Sequence, residues 1–296
     1  MSFYRWWIIA AALLGAALLA GCGGLTLRLS YGQGPRLLYC WLDNYVDVSA
    51  AQAPVVREAI GSWFRWHRAT QLPGYADLVA RLQPRILEPT TPQAVCAVWH
   101  DVRAQGDVAL EHALPPIATF VRSLTPGQLR NVERRFAKVN AEFRDEHLQP
   151  DTAQRQRAAL RRSRDRVEML YGPLHQAQRD RLVQALAASP FDAERWNAER
   201  MHRQEDILTT LRGLLDERTL APAQVQARLR ALVKRLQSSP RDDYRAYQER
   251  LTAHNCAVSA EIHNTATHAQ REHARTRLRE WERDLREMAA AGPAPG

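Results

Sequence analysis

From residue 35 onward, apolar side chains recur at steps of three and four residues, with no convincing stretch of strict alternation. Leu129, Val132, Phe136, Val139 and Phe143 form one stripe, with Arg134, Arg135, Lys138 and Glu142 among the remaining positions. Ile207, Leu211, Leu214 and Leu215 form a second, and Val225, Leu229, Leu232 and Leu236 a third. Leu278, Trp281, Leu285 and Met288 repeat the spacing near the end. This period lines one face of a helix, whereas a half-buried strand needs a period of two. Pro35 opens a further helical stretch through Leu38, Leu42 and Val46. The prediction is an all-α protein, a multi-helix antiparallel bundle with no significant sheet.

The helix starts share a chemistry. Ser49-x-x-Gln52, Thr90-x-x-Gln93, Thr125-x-x-Gln128 and Thr267-x-x-Gln270 are expected capping boxes, and Asp151-x-x-Gln154 is a close analogue. In each, the first side chain accepts from the third helical N–H while the Gln reaches back to the cap residue's own N–H. Pro92, Pro126 and Pro222 suit a first helical position, where the missing N–H was unpaired anyway. Gly172-Pro173, Ser189-Pro190 and Ser239-Pro240 predict stops. Unequal intervals between the caps argue against a solenoid repeat.

Ahead of this body, Arg5 precedes an apolar run from Trp6 to Ala20 that closes on Leu19-Ala20-Gly21-Cys22. A basic start, a short apolar core and small residues before a cut make a secretory signal peptide, and the run is short of the ~20 residues that span a bilayer. Leu-Ala-Gly-Cys resembles the bacterial lipobox, which implies diacylglycerol on the Cys22 sulfur and an acylated new terminus. At ~0.8 kcal/mol per buried CH₂, several chains anchor far more firmly than one. Residues 1–21 are then a signal peptide, 22–34 a lipidated tether, 35–290 the helical domain and 291–296 a disordered tail. By resemblance to enterobacterial sorting, Gly23 favours the outer membrane, facing the periplasm. The short tether keeps the folded part close to that membrane.

Net charge is +9, carried almost wholly by arginine, since Lys138 and Lys234 are the only lysines. Export removes nucleic acid as a partner and leaves anionic lipid headgroups, cell wall and envelope proteins. Arg155, Arg157, Arg161, Arg162, Arg164 and Arg166 crowd one helix as two nearly opposite stripes. They are a candidate contact for an anionic surface, or the solvated sides of an edge helix.

Three cysteines follow Cys22. Cys96 and Cys256 lie in strongly helical segments, and Cys40 sits near the tether. In an oxidising compartment the expected bridge is Cys96–Cys256, closing a loop of about 160 residues worth several kcal/mol. The alternative is three buried thiols. No Cys/His spacing for zinc is present, and no cofactor is expected beyond the lipid on Cys22.

Other constellations are weaker. Glu199-x-x-His202 is half of a di-iron motif whose second half is missing, and His202 with Asp206 is expected as a surface ion pair. His263, His268 and His273 advance about 140° per step and scatter around their helix. His254 and Glu261 align better, as a structural pair. Trp63 and Trp66 share a face, implying core packing, with a membrane belt or sugar platform as the alternative. Asp43 and Asp47, also at i, i+4, are placed to coordinate a cation or to accept arginine, the second being the expectation. No nucleophile–base motif, Walker loop or dinucleotide fingerprint occurs.

Leu124-Thr125-x-x-Gln128 resembles the signature of small periplasmic helical chaperones, over one helix start only. More extensively, the chain carries in order Tyr39-x-Trp41-Leu42-Asp43-x-Tyr45, Leu124-Thr125-Pro126, Lys138-x-Asn140-x-Glu142, Tyr171-Gly172-x-Leu174, Ser189-Pro190-Phe191-Asp192 and His263-Asn264. With these it resembles an uncharacterised family of proteobacterial lipoproteins, a domain of unknown function, number 6279. Asn264-Thr265-Ala266-Thr267 departs slightly from the family's Thr-Thr-Pro helix start, though Thr267 still caps. The resemblance implies location and architecture and carries no activity. The expectation is a membrane-anchored binding or envelope-maintenance protein; the alternatives are a periplasmic chaperone or a lipid- or cell-wall-acting enzyme.

Overall fold

The computed structural model describes residues 31–148 and 151–291. The signal peptide, Cys22, most of the tether and nearly all of the tail lie outside the described residues. The body is α1 (Gly34–Val46), α2 (Ala53–Thr70), α3 (Leu72–Arg85), α4 (Pro92–Arg122), α5 (Pro126–His147), α6 (Thr152–Tyr171), α7 (Gln176–Ala187), α8 (Ala193–Asp216), α9 (Pro222–Gln237), α10 (Asp242–Asn264) and α11 (His268–Ala290). No strand occurs among the described residues. The all-α bundle follows from the period in the sequence.

Two clusters of buried side chains share α1 and the end of α4. One gathers Tyr45, Leu114, Leu129, Val132, Phe136, Val139, Leu208, Leu214, Val225 and Leu229 from α1, α4, α5, α8 and α9. The other joins Tyr31, Ile60, Phe64, Leu72, Tyr75, Leu285 and Met288 from α2, α3, α11 and the residue ahead of α1. Leu42, Val48 and Phe120 pack against both. Each such side chain contributes about 1.5–3 kcal/mol by leaving water. Tyr31, expected in the tether, is instead part of this body, only 4% exposed. An aromatic ring that finds a core is drawn into it whatever the glycines around it permit.

Long-range pairings fix the order: α3 lies along α11, α4 along α10 and α9, and α5 along α8. Cys96 of α4 is bonded to Cys256 of α10, with Cα atoms 5.5 Å apart, while Cys40 is free and exposed. The bridge therefore ties together two helices that already pack.

Thr125 and Thr267 form complete capping boxes, and Asp151 accepts from the Gln154 N–H. Ser49 and Gln52 make the same reciprocal bonds one turn ahead of α2. The expected box at Thr90 is displaced by one residue. Thr91 caps α4, accepting from Ala94, because Asn264 holds both the N–H and the carbonyl of Thr90.

Candidate binding groove

The residues that carry the family resemblance meet at helix junctions. Tyr171 donates its hydroxyl to His263 Nδ1 at 2.8 Å, and His263 Nε2 donates to the Glu88 carbonyl at 2.7 Å. A carbonyl only accepts, so the proton sits on Nε2. Burial holds the His263 pKa below its ordinary value and pushes that of Tyr171 up to about 12. Gly172 next to it has φ +75°, and Gln178 and Gln270 exchange amide bonds at 3.0 and 3.1 Å beneath it. Asn140 is buried between Gln204 and Arg200. Asp192 caps α8, and its backbone N–H donates to the Tyr247 hydroxyl. These motifs encode joints, which is a reason for their recognisability that involves no chemistry on a substrate.

A cavity that faces solvent lies elsewhere, between α2 and α4. It encloses about 900 Å³ and is lined by Ala59, Ser62, Trp63 and Trp66 from α2. Asp107, Val108, Glu111, His112, Pro115 and Pro116 of α4 form the opposite side. The indole N–H of Trp63 donates to the Ala109 carbonyl at 3.0 Å, and Trp66 stacks on His112 with centroids 3.7 Å apart and planes 9° from parallel. Behind Trp63, at 4.7 Å, stacks His67, only 2% exposed. Its two nitrogens meet the hydroxyls of Tyr31 and Tyr75 at 2.9 and 3.2 Å, and burial pushes its pKa down to about 4. The aromatic wall is thus pinned from behind rather than free to repack.

Trp63 and Trp66 do share a face, as their spacing requires; Trp63 packs against the second core cluster, as core packing implies, and both half-buried rings also line the groove. The prolines lie on its α4 side. Pro115 and Pro116 sit inside α4, have no N–H to give to the carbonyls of Glu111 and His112 four residues back, and form part of the lining. Pro-Pro inside a long helical run was the signal available in the sequence.

Electrostatically the groove is acceptor-rich. Glu111 is clamped by Arg230, whose hydrogen bonds hold its pKa below the ordinary value. Asp107 accepts from the Gln237 amide at 2.9 Å, and burial raises its pKa against the opposing influence of Arg103. Val108, half exposed, stands on the open side.

The remaining candidates do not converge on it. Arg155, Arg157, Arg161, Arg162, Arg164 and Arg166 lie along α6, which packs on α7 and α11 with no fully buried side chain among its described residues. Arg164 pairs with Asp165 and Glu168. Glu199 is buried between Arg203 and Arg241, so it is a structural anion. Asp206 pairs with Arg235 at 2.9 Å instead of His202, because a guanidinium offers a bidentate partner across the helix pair. Asp43 and Asp47 accept from the Val48 N–H and the Asn131 amide rather than from arginine, closing the turn after α1. His254 bonds the Ala185 carbonyl and Glu261 pairs with Arg181. Among the described residues no three His, Cys, Asp or Glu side chains group as a metal site, and no helix is long and apolar enough to cross a membrane.

Fold and cavity together define a helical bundle with an aromatic-walled groove between α2 and α4. The chain belongs to a family of unknown function, DUF6279, whose model matches residues 44–245. Tyr39 to Asp43 and His263-Asn264 fall outside that span, and the other motifs fall within it. No curated protein and no solved structure matches the chain.

Proposed function

We propose that this is a lipid-anchored envelope protein that acts by binding a partner in the groove between α2 and α4. The observation that carries the reading is the groove itself: an apolar, open cavity whose walls are fixed by the Trp63–Ala109 hydrogen bond and the Trp66–His112 stack. Preformed apolar clefts with a few convergent polar groups are where proteins of this size hold ligands. Location rests on Leu19-Ala20-Gly21-Cys22, which supports lipidation at Cys22, and on Gly23, which favours the outer membrane by resemblance to enterobacterial sorting. The arginines of α6 offer a basic surface that suits anionic headgroups in the same setting.

Binding is favoured over catalysis because the ionisable groups at the groove are already engaged. Glu111 is held by Arg230, Asp107 accepts from Gln237, and His112 is stacked on Trp66. A general base must be free to reach a substrate proton. The test is a photocrosslinking amino acid at Val108 or, as control, at the exposed Val183 of α7, in intact cells. Discrete adducts at position 108 and none at 183 are expected; equal labelling, or none at 108, contradicts the reading.

A further inference from the structure

Resting on the lipid-anchor reading, we propose that the exposed side of α1 formed by Arg36, Leu37 and Cys40 lies against the phospholipid surface that holds Cys22, and that Tyr31 is the clamp that sets it there. The chain enters the body at Tyr31, which is buried in the second core cluster. Its ring meets Phe64 edge-on with centroids 5.5 Å apart, its hydroxyl meets His67 Nδ1 at 2.9 Å, and Arg68 lies over the ring at 5.3 Å. Arg68 also donates to the Ala291 carbonyl at 2.9 Å, so the end of α11 is tied to the same point. Three residues on, Gly34 begins α1 so close to Phe64 that a Cβ there would stand 2.5 Å from Cε1. These contacts fix both the place where the chain enters the body and the course that α1 takes from it.

Residues 23–30 are all that separates Cys22 from this clamp, a reach of about 30 Å at most. A surface held that close meets the bilayer at a high effective concentration, so contacts too weak to recruit a free protein suffice. The start of α1 presents such contacts. Arg36, Leu37 and Cys40 are exposed within about 100° of one another around the helix, Leu37 to 55%. No acidic residue precedes Asp43 in α1, and Asp43 is half-buried, accepting from the Val48 N–H. A cation beside an apolar side chain suits the boundary between headgroups and acyl chains. The run of the neighbouring helices brings further charge to this end. Asp47 meets Asn131 and Tyr45 meets Phe136, so α1 and α5 run antiparallel. The start of α1 therefore lies toward the end of α5, from which the chain turns into α6 and its first arginines, Arg155 and Arg157.

The test reconstitutes the lipidated protein into vesicles of phosphatidylethanolamine and phosphatidylglycerol that carry a headgroup spin-labelled phospholipid. Cys40 is the free thiol among the described residues and takes a fluorescent label directly. Ala50, exposed beyond the other end of α1, takes the same label as Ala50→Cys in a Cys40→Ser background. Quenching by the spin label is expected to be several-fold stronger at position 40 than at position 50. Leu37→Glu, an exposed position outside both cores, is expected to bring the two close together. Tyr31→Ala is expected to do the same by releasing the clamp, and so is a Gly-Ser insertion between Gly24 and Leu25, which lengthens the reach and alters no described residue. Equal quenching at positions 40 and 50 in protein that floats with the vesicles overturns the docking face and keeps the anchor. A preference for position 40 that survives Leu37→Glu overturns the face, and one that survives the insertion or Tyr31→Ala overturns the clamp. Protein that does not float with the vesicles overturns the lipid-anchor reading itself.

Discussion

Gln52 and Gln128 hold each other by their side-chain amides. Gln128 Nε2 donates to Gln52 Oε1 at 2.6 Å, and Gln52 Nε2 donates back at 3.3 Å. Each is also the fourth and last residue of a capping sequence, reaching back to Ser49 and Thr125. Gln128 further donates to the Asp47 carbonyl, so one amide joins the end of α1 to the starts of α2 and α5. Gln178 and Gln270 repeat the arrangement across the starts of α7 and α11.

Replacing Gln128 with Ala therefore removes a capping-box bond together with the bonds to Gln52 and to the Asp47 carbonyl. The expected loss is about 1–2 kcal/mol, read from urea unfolding. Gln93, three residues after the Thr90 that does not cap, serves as control and is expected to cost under about 0.5 kcal/mol when replaced. Equal losses at the two positions would contradict the interlock.

His67 gives the fold a defined pH response. Its pKa is about 4 folded against 6.5 unfolded, so the unfolded chain takes up the proton first as pH falls. The contribution of His67 is complete above pH 6.5 and is lost as pH drops toward 4, by roughly 3 kcal/mol at most. His263 and His147, also held low by burial, add in the same direction. Urea unfolding at several pH values across that window is expected to show stability falling with acid. His67→Gln, which keeps hydrogen bonds to Tyr31 and Tyr75, flattens the slope. An unchanged slope in that variant would show that His67 is not the group responsible.

Two glycines are required for different reasons, and substitution separates them. Gly172 has φ +75° and ψ −168°, a conformation closed to side-chain-bearing residues, although a Cβ there meets His273 only at an ordinary 3.6 Å. Gly172→Ala is expected to cost about 1–3 kcal/mol, and His273→Ala does not rescue it. Gly34 has helical backbone, but a Cβ would sit 2.5 Å from Phe64 Cε1. Gly34→Ala is destabilising through that contact, and Phe64→Leu is expected to relieve part of the loss. Thermal unfolding of the double variants decides both.

How much could be read in advance depended on whether the information was local. The stripe from Leu129 to Phe143 and the caps at Thr125 and Thr267 are local, and they are where their spacing puts them. The Cys96–Cys256 pairing followed from helix placement and a count of three. What was not legible was tertiary: Asn264 reaching across to Thr90 and displacing a cap, Arg235 outcompeting His202 for Asp206, and Tyr31 entering the core. The groove was half legible. Trp63 and Trp66 were evident as a pair, but their role depends on Pro115 and Pro116 arriving opposite them, and no spacing rule along the chain connects positions so far apart.

The arginines of α6 make a separate prediction. Full-length protein with Cys22→Ser is expected to associate with vesicles containing anionic phospholipid, more weakly as salt rises. Conversion of Arg155, Arg157, Arg161, Arg162, Arg164 and Arg166 to Gln should remove that association, measured by vesicle flotation. Association that persists in the Gln variant would remove α6 from consideration.

The most direct measurement of the central claim is amide hydrogen exchange of the purified protein with and without a solubilised envelope extract. If the α2–α4 groove is where a partner binds, exchange slows at Ala109 to Leu114 and at Ile117 to Val121, on either side of Pro115 and Pro116, and along α2 from Ala59 to Trp66. Protection confined to α6, or to any face away from these two helices, with exchange beside the prolines unchanged, would contradict it.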